Sequence, residues 1–437
     1  MVELADIFRH YGPAYRAQFG DRLLPSHRQA MWAIEHCRTE ALGGHVYHCP
    51  DCDTKVYQYH SCRNRHCPKC QNEQAQHWLE HQRDLLLPVP YFMLTFTLPA
   101  PLRPVARSHQ ALLYDLLFRT SASATQHLAA DPRFIGGQLG LVGVLHTWGR
   151  TLTYHPHVHY LIPAGGLADA GQTWRPARDD FLVPVKALSG IFRARVRDAL
   201  RSTELFDLVP VSVWEHDWVV HCQAVGNGET AFKYLAPYIF RVAISNSRLL
   251  KVENDQVTFR YRASDSGQAK LCTLAVEEFI HRFLQHVLPK GLVKVRYYGF
   301  LSAGHRSQLT TIRQQLGAAL ASPTSSLETA DPLAPTTALP VALSEVSNAE
   351  TPSHHSASPS DAAHDQPAPN PDAPSPVAAA HTEAPTPDPQ RADPAPEAGR
   401  RCPVCGRLML SRALPRPKPY PSHPGSPSAD RAPPPAA

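Results

Sequence analysis

The sequence predicts an α+β protein, with an antiparallel sheet flanked by helices, a small cysteine-rich domain before it and a disordered tail after it. Three observations lead to this fold class. Between residues 86 and 315, apolar segments with strand periodicity are mixed with segments of helical periodicity. Six of the ten cysteines lie between Cys37 and Cys70. From Ala321 to Arg400 there is no aromatic residue, and 26 of the 43 prolines follow residue 320, so this stretch buries too little apolar surface to fold.

The elements follow from their residue patterns in chain order. Helices are expected where apolar residues recur every three or four positions, and strands where they alternate or form short runs between turns. The predicted elements are a helical region over 1–44, a cysteine- and histidine-dense turn region over 45–72, a helix from about Asn72 to Leu87, the strand YFMLTFTLP, a helix around SHQALLYDLLFRTSASATQHLAA, the strands LGLVGVLHTWG and HPHVHYLIPAGG, the segment ETAFKYLAPYIFRVAIS, the strand VTFRYRA and the helix LAVEEFIHRFLQHVLPKG.

The charge is unevenly distributed along the chain. The formal net charge of the whole chain is +5, whereas the body before residue 321 carries +9 and the tail is net acidic. A basic body is suited to a polyanionic partner such as nucleic acid, although solvated basic surfaces are also common.

The sequence predicts a soluble, cytoplasmic protein that does not associate with membranes. The N-terminus MVELADIFRHYG carries charges where a secretion signal needs an apolar run. The most apolar stretch begins at Leu85 and is interrupted by Pro88, Pro90, Pro99 and Pro101, which is unsuitable for a membrane helix. In such a chain, clustered Cys-x-x-Cys pairs indicate metal binding rather than disulfides.

The cysteine spacing predicts a structural Zn²⁺ site formed by Cys49, Cys52, Cys67 and Cys70. Each Cys-Pro-x-Cys pair places two thiolates on one tight turn, and two such turns complete a tetrahedron. Other cysteines and histidines lie close by, and they are either alternative ligands, a second site or packing residues: Cys37, Cys62, His45, His48, His60 and His66.

Three basic residues beside these pairs, Arg63, Arg65 and Lys69, are candidates for DNA phosphate contacts. The zinc module thus either binds DNA, which we favour, or acts as a scaffold. A further pair, Cys402 and Cys405, follows the proline-rich stretch. Two cysteines cannot complete a tetrahedral site, so this pair either takes ligands from elsewhere in the chain or from another subunit, or has no role.

The segment Tyr154–Tyr160 contains the pattern His-hydrophobic-His at His157 and His159. On a strand these two imidazoles project from the same face, where they can hold one divalent cation. A third ligand is needed. His146 on the preceding strand and His155 on the same strand are the alternatives, and we favour His146. Such an ion grips a phosphate oxygen and stabilises the charge on the leaving group.

A nucleophile is suggested by Tyr234 and Tyr238, which are four residues apart and share one face of a helix. A phenolate can attack a DNA phosphate and form a covalent phosphotyrosine. Pro237 either kinks this helix or begins a second one, which would turn the two phenols apart. Both tyrosines remain candidates, with Tyr234 slightly preferred.

Taken together, these segments resemble the transposases of rolling-circle insertion sequences, the family numbered ninety-one. The matching stretches are YHSCRNRHCPKCQ, VLHTWGRTLTYHPHVHYLIPAGG, KYLAPYIFRVAISNSRLL and FIHRFLQHVLPKGLVKVRYYGFL, within roughly residues 30–310. The resemblance implies an N-terminal zinc-binding domain joined to an HUH (His-hydrophobic-His) nuclease domain. It also implies that His157 and His159 bind catalytic Mg²⁺ or Mn²⁺, that Tyr234 and Tyr238 are the nucleophiles, and that the four cysteines of the two N-terminal pairs hold zinc.

The function expected from this resemblance is DNA transposition, with cleavage and rejoining of single-stranded or hairpin DNA at transposon ends. The alternatives are a plasmid replication initiator or relaxase of the same chemistry, and a zinc-dependent DNA-binding protein without catalysis. The expected domains are a helical and zinc-binding domain over 1–85, the HUH tyrosine transposase domain over 86–315, a disordered linker over 316–400, and a Cys-x-x-Cys remnant with a disordered tail over 401–437.

Overall fold

The computed structural model describes residues 2–70, 85–178, 180–227, 242–263, 267–321 and 399–416. Within these residues it contains helices and antiparallel sheets, which confirms the α+β class. The helices are α1 (Leu4–Phe19), α2 (Pro25–Glu35), α3 (Arg103–Ser108), α4 (Gln110–Ala129), α5 (Val185–Arg201), α6 (Val276–Leu284) and α7 (Gln308–Ala321). The strands are β1 (Gly44–His48), β2 (Lys55–Tyr59), β3 (Pro90–Thr97), β4 (Leu141–Trp148), β5 (Tyr154–Pro163), β6 (Gly165–Ala168), β7 (Thr173–Pro176), β8 (Val220–Asn227), β9 (Leu249–Glu253), β10 (Gln256–Arg262), β11 (Ala269–Ala275), β12 (Val295–Tyr298) and β13 (Leu410–Leu414).

The central sheet has five antiparallel strands in the order β12-β4-β5-β3-β8. Its first face is apolar along its length, because Phe96 on β3 and Tyr160 on β5 pack against Phe118 of α4 and Phe192 of α5. These buried aromatic rings meet edge to face, the arrangement that their quadrupoles favour. Helices α4 and α5 therefore cover this face and hold the sheet rigid.

The second face of the sheet changes character along the strands. At one end Tyr91, Met93, Val142 and Leu161 form an apolar cluster together with residues around α7, such as Ile312. Because side chains alternate along a strand, the next residues on this same face are Thr95 on β3, His146 on β4, and His157 and His159 on β5. The second face thus passes from a packed core to a polar surface within a few residues.

A separate core joins the N-terminal helices to a more C-terminal part of the chain. Phe8 of α1 packs edge to face against Phe283 of α6, with ring centroids 5.4 Å apart. Met31 of α2 and Phe259 of β10 are buried in the same cluster. This core spans the predicted domain boundary at residue 85, so α1 and α2 are packed onto the body rather than forming a core of their own.

The predicted strands of residues 86–315 and the helices α4 and α6 are present where the patterns placed them. The predicted helix over 72–87 and the segment that contains Tyr234 and Tyr238 lie mainly outside the described residues. Helix α7 continues to Ala321, past the expected start of the linker at residue 316, and residues 399–416, which include the second Cys-x-x-Cys pair, form turns and strand β13. In the described part of the chain, no helix combines the length and apolarity needed to cross a bilayer.

Candidate active site and cysteine clusters

The three histidines of the polar face converge on one point. His146 lies directly opposite His157 in the β4–β5 register, and His159 lies one residue pair further along the same face. One ring nitrogen from each of His146, His157 and His159 lies within 4.8 Å of the other two. Antiparallel pairing brings cross-strand neighbours this close, so small rotations of the rings can bring all three onto one ion.

Neighbouring groups fix the orientation of two of these rings. His157 Nδ1 lies 2.7 Å from the carbonyl oxygen of His155, and His159 Nδ1 lies 2.9 Å from Thr95 Oγ1. When Nδ1 donates to these oxygens, each Nε2 keeps a lone pair that can bind a metal ion. This is the arrangement of metal-ligating histidines, whose second nitrogen is held by an outer partner. The donor set therefore fits a divalent cation.

His155, the alternative third ligand, is not part of the cluster. Its Nδ1 lies 2.7 Å from an Arg103 guanidinium nitrogen, and because the guanidinium only donates, the imidazole accepts. Burial lowers the pKa of His155 to about 3, with further contributions from His157 and Arg103. The His155 ring lies 5.2 Å from the His157 ring, but the nitrogens that converge belong to His146, His157 and His159.

Basic groups surround the histidines. The Trp148 ring stacks on His146 at 4.7 Å, and the Lys294 ammonium lies 5.4 Å from the Trp148 centroid. Burial lowers the pKa of Lys294 to about 7, assisted by the Arg65 guanidinium. On another side, a cleft of about 600 Å³ is lined by Arg103, Arg107 and Tyr154 among others.

The four zinc ligands predicted from spacing are not in one cluster. Cys67 and Cys70 meet Cys37 and Cys62, whereas Cys49 and Cys52 belong to a different group of cysteines. The prediction of one tetrahedron from the two N-terminal pairs is therefore corrected. The physical reason lies in the β1–β2 hairpin, which carries Cys49 and Cys52 at its turn, away from α2. The end of α2 instead places Cys37 beside the loop that contains Cys62, Cys67 and Cys70.

The first cluster is built into the core that joins α1, α2 and α6. Cys37, Cys67 and Cys70 are buried there, and Cys62 packs against them. The Sγ atom of Cys70 lies 3.6 Å from those of both Cys37 and Cys62. Four thiolates at such distances suit Zn²⁺ in a closed structural site, and the spacing Cys-x₄-Cys-x₂-Cys over residues 62–70 is the sequence signal that identifies them.

The basic residues of this loop are engaged within the protein. The Arg65 guanidinium donates to the carbonyl oxygens of Leu288, Pro289 and Leu292 at 2.7 to 3.3 Å, and Lys69 forms an ion pair with Glu3 at 2.5 Å. Arg65 thereby joins the cysteine loop to the segment that follows α6. Arg63 has a left-handed backbone, with φ of 52°. A phosphate-binding role for these three residues therefore remains a prediction.

Comparison with known proteins now identifies the family. The model described as "Transposase zinc-binding domain" matches residues 7–98, and the model described as "Putative transposase" matches residues 140–308. The chain belongs to the IS91 family of transposases. The second match includes all three clustered histidines, and the first includes the first cysteine cluster together with Cys49 and Cys52.

Two curated relatives support this assignment. The chain is 41% identical over 342 residues to the "Putative transposase y4qJ" of Sinorhizobium fredii, covering 74% of this chain and 86% of the relative. It is 32% identical over 287 residues to the "Transposase for insertion sequence element IS801" of Pseudomonas savastanoi pv. phaseolicola, covering 61% and 68%. No solved structure is significantly similar to the chain. Membership of the family makes this transposase a DNA-cleaving enzyme with a zinc-binding domain.

Proposed function

We propose that this transposase cleaves and rejoins single-stranded DNA at transposon ends through a covalent 5′-phosphotyrosine, in rolling-circle transposition. The observation that supports this most is the convergence of His146, His157 and His159 on the polar face of the sheet. The proposed nucleophiles, Tyr234 and Tyr238, come from the sequence and lie outside the described residues. A hairpin DNA end is a suitable substrate because it presents single-stranded phosphates.

The three imidazoles would hold Mg²⁺ or Mn²⁺. Nitrogen donors favour Mn²⁺ over the harder Mg²⁺, so Mn²⁺ should bind more tightly. When bound, the ion supplies positive charge beside the scissile phosphate. The protein contributes the remaining parts of the site: His157 and His159 are held in one orientation by the His155 carbonyl and Thr95, and the Arg103 guanidinium lies nearby, on His155.

The proposed reaction balances without ATP. A tyrosine phenolate oxygen forms a bond to phosphorus, the bond from phosphorus to the 3′ oxygen breaks, and the released 3′ oxygen takes up a proton. Rejoining reverses this exchange, because a 3′ hydroxyl attacks the phosphotyrosine and the phenol is regenerated. The phosphoester energy is conserved in the covalent intermediate.

The test is to incubate purified protein with labelled single-stranded DNA from the element ends, in Mn²⁺, Mg²⁺ or EDTA, and to run a denaturing protein gel. We expect a metal-dependent covalent band that disappears in the Tyr234→Phe/Tyr238→Phe double variant. The single variants then assign the nucleophile. His157→Ala should form adduct at least 100-fold less efficiently, because removing one group that stabilises transition-state charge costs on the order of 10²–10³ in rate.

A matched control is His127→Ala, which removes an exposed histidine on α4. This variant should retain the wild-type yield of adduct. No adduct in the folded wild-type protein, despite tight binding to the same DNA, would refute the proposal and favour a non-catalytic DNA-binding protein. An adduct formed equally on plasmid-origin or transfer-origin DNA would instead favour a replication initiator or relaxase.

A further inference from the structure

The second group of cysteines brings together residues from opposite parts of the chain. Cys49 Sγ lies 3.4 Å from Cys405 Sγ, and Cys52 Sγ lies 3.5 Å from Cys402 Sγ, although each pair is about 350 residues apart in sequence. All four sulfur atoms lie within 4.8 Å of one another. In a ZnS₄ tetrahedron with bonds of about 2.3 Å the sulfurs are separated by about 3.8 Å, whereas a disulfide is about 2.05 Å long. The observed distances are far too long for disulfides and are close to those of a tetrahedral thiolate site.

The two Cys-Pro-x-Cys turns of this group have the same backbone structure. Cys49 N–H donates to the Thr54 carbonyl at 2.9 Å, and Asp53 N–H donates to the Cys49 carbonyl at 3.0 Å. In the other turn, Cys402 N–H donates to the carbonyl of residue 407 at 2.7 Å, and Gly406 N–H donates to the Cys402 carbonyl at 2.9 Å.

The residue after the second cysteine is left-handed in both turns, with φ of 55° at Asp53 and 73° at Gly406. Glycine and aspartate are among the residues that tolerate this conformation. The structure therefore pairs two equivalent turns, one from each part of the chain.

Apart from its cysteines, the C-terminal segment 399–416 is held by strand pairing and by surface contacts such as that of the Arg400 guanidinium over the Tyr47 ring, 4.7 Å from its centroid. Strand β13 pairs antiparallel with β1 over five residues, from Gly44 opposite Leu414 to His48 opposite Leu410. Its side chains are nevertheless mostly exposed, including Leu408 and Leu410 at 58% and 66%, and Cys402 is the buried residue of the segment. Apolar burial this small does not offset the entropy of ordering the segment. An additional source of stability is needed at the cysteines.

We propose that Cys49, Cys52, Cys402 and Cys405 form a second structural Zn²⁺ site, which attaches the C-terminal segment to the N-terminal zinc-binding domain as the third strand of its sheet. Four thiolates leave no open position, so the site is structural rather than catalytic. Segment 399–416 then brings five arginines and no acidic residue to this sheet. The site is distinct from the buried cluster of Cys37, Cys62, Cys67 and Cys70.

The first test is the number of zinc ions per chain, measured on the full-length protein by native mass spectrometry and elemental analysis. We expect two in the wild-type protein and one in the Cys402→Ser/Cys405→Ser variant. The matched control is Cys222→Ser/Cys272→Ser, which removes two cysteines that lie outside both clusters and should retain two ions. A wild-type protein with one zinc, or a Cys402→Ser/Cys405→Ser variant that retains two, would overturn the proposal. Elemental analysis that finds iron in place of zinc would overturn the choice of metal.

A second measurement on the wild-type protein avoids any dependence on the folding of a variant. Alkylation followed by peptide mass spectrometry should find Cys402 and Cys405 protected before chelation and modified after it. Hydrogen exchange at residues 410–414 should accelerate at least tenfold when zinc is removed. If Cys402 and Cys405 react before chelation, or if they are recovered as disulfides with Cys49 and Cys52, the proposed zinc site is refuted.

Discussion

Gly143 on β4 provides a direct test of how the first face of the central sheet is packed. It lies opposite Tyr160 in the β4–β5 register, and a Cβ atom added at Gly143 would lie 2.5 Å from Tyr160 Cε1 and 2.9 Å from Cδ1. Carbon atoms in contact are normally about 3.5–4.0 Å apart. Gly143→Ala therefore requires the Tyr160 ring to move by about 1 Å.

The ring has little room for this movement. Tyr160 is fully buried between Phe96, Phe118 and Tyr298, and its hydroxyl donates to the Phe118 carbonyl at 3.0 Å and lies 2.8 Å from Ser121 Oγ. Overpacking costs about 1–3 kcal/mol, and loss of a buried hydrogen bond adds about 1–3 kcal/mol. We expect Gly143→Ala to lower the free energy of unfolding by about 3 kcal/mol, or Tm by about 5 °C.

The assay is urea denaturation followed by both circular dichroism and tryptophan fluorescence, since coincident transitions support a two-state treatment. The matched control is Gly190→Ala on α5, where the added methyl group meets no atom within 4 Å. Alanine in a helix is favoured over glycine by about 1 kcal/mol, so this variant should be at least as stable as wild type. A Gly143→Ala protein whose free energy of unfolding lies within about 0.5 kcal/mol of the wild-type value would refute the proposed packing.

Two further predictions concern the segment that follows α6. Burial lowers the pKa of His286 from its usual 6.5 to about 4. Between these values the unfolded chain takes up a proton that the folded protein does not. The free energy of unfolding should therefore fall as pH decreases from 6.5 to 4, by about 3 kcal/mol from this group. In urea titrations at each pH, His286→Gln should remove this part of the dependence of the unfolding free energy on pH. An unchanged pH dependence in the variant would contradict the burial of a neutral His286. Arg65→Lys should destabilise the fold by about 3 kcal/mol, because a lysine cannot reproduce three charge-assisted bonds to carbonyls; a thermal melt identical to wild type would show those bonds to be unimportant.

The sequence was sufficient to predict the histidine site in outline because its geometry is local. Alternation along one strand puts His157 and His159 on the same face, and His146 lies on the strand that directly precedes it. Thr95 was missed, although two threonines, Thr95 and Thr97, interrupt the otherwise apolar strand YFMLTFT and were a signal that these positions face something other than core. Its role becomes visible only from the pairing of β3 with β5, which places it opposite His159.

The cysteine pairing could not be read from spacing for a different reason. Every Cys-Pro-x-Cys turn offers two thiolates in a similar way, so spacing alone does not say which turns share an ion. The choice depends on tertiary packing: the end of α2 brings Cys37 to the buried loop, and the pairing of β13 with β1 brings Cys402 to Cys52. Arg65 illustrates the same limit, since a basic loop suggests DNA until its hydrogen bonds to the segment after α6 are seen.

The position of β13 at the outer edge of β1 also has a consequence for biosynthesis. Cys52 precedes Cys402 by 350 residues, so at about 5–20 residues per second the ribosome needs roughly 20–70 s to make the remaining strand and its thiols. Throughout that interval the backbone N–H and C=O groups on one edge of β1 are unpaired, and such an edge can pair with strands of other chains and cause aggregation. A messenger truncated before codon 402 would make this condition permanent while leaving the buried cysteine cluster intact. Incomplete translation products should therefore aggregate through β1, and be cleared by proteolysis, even though their histidine site can form.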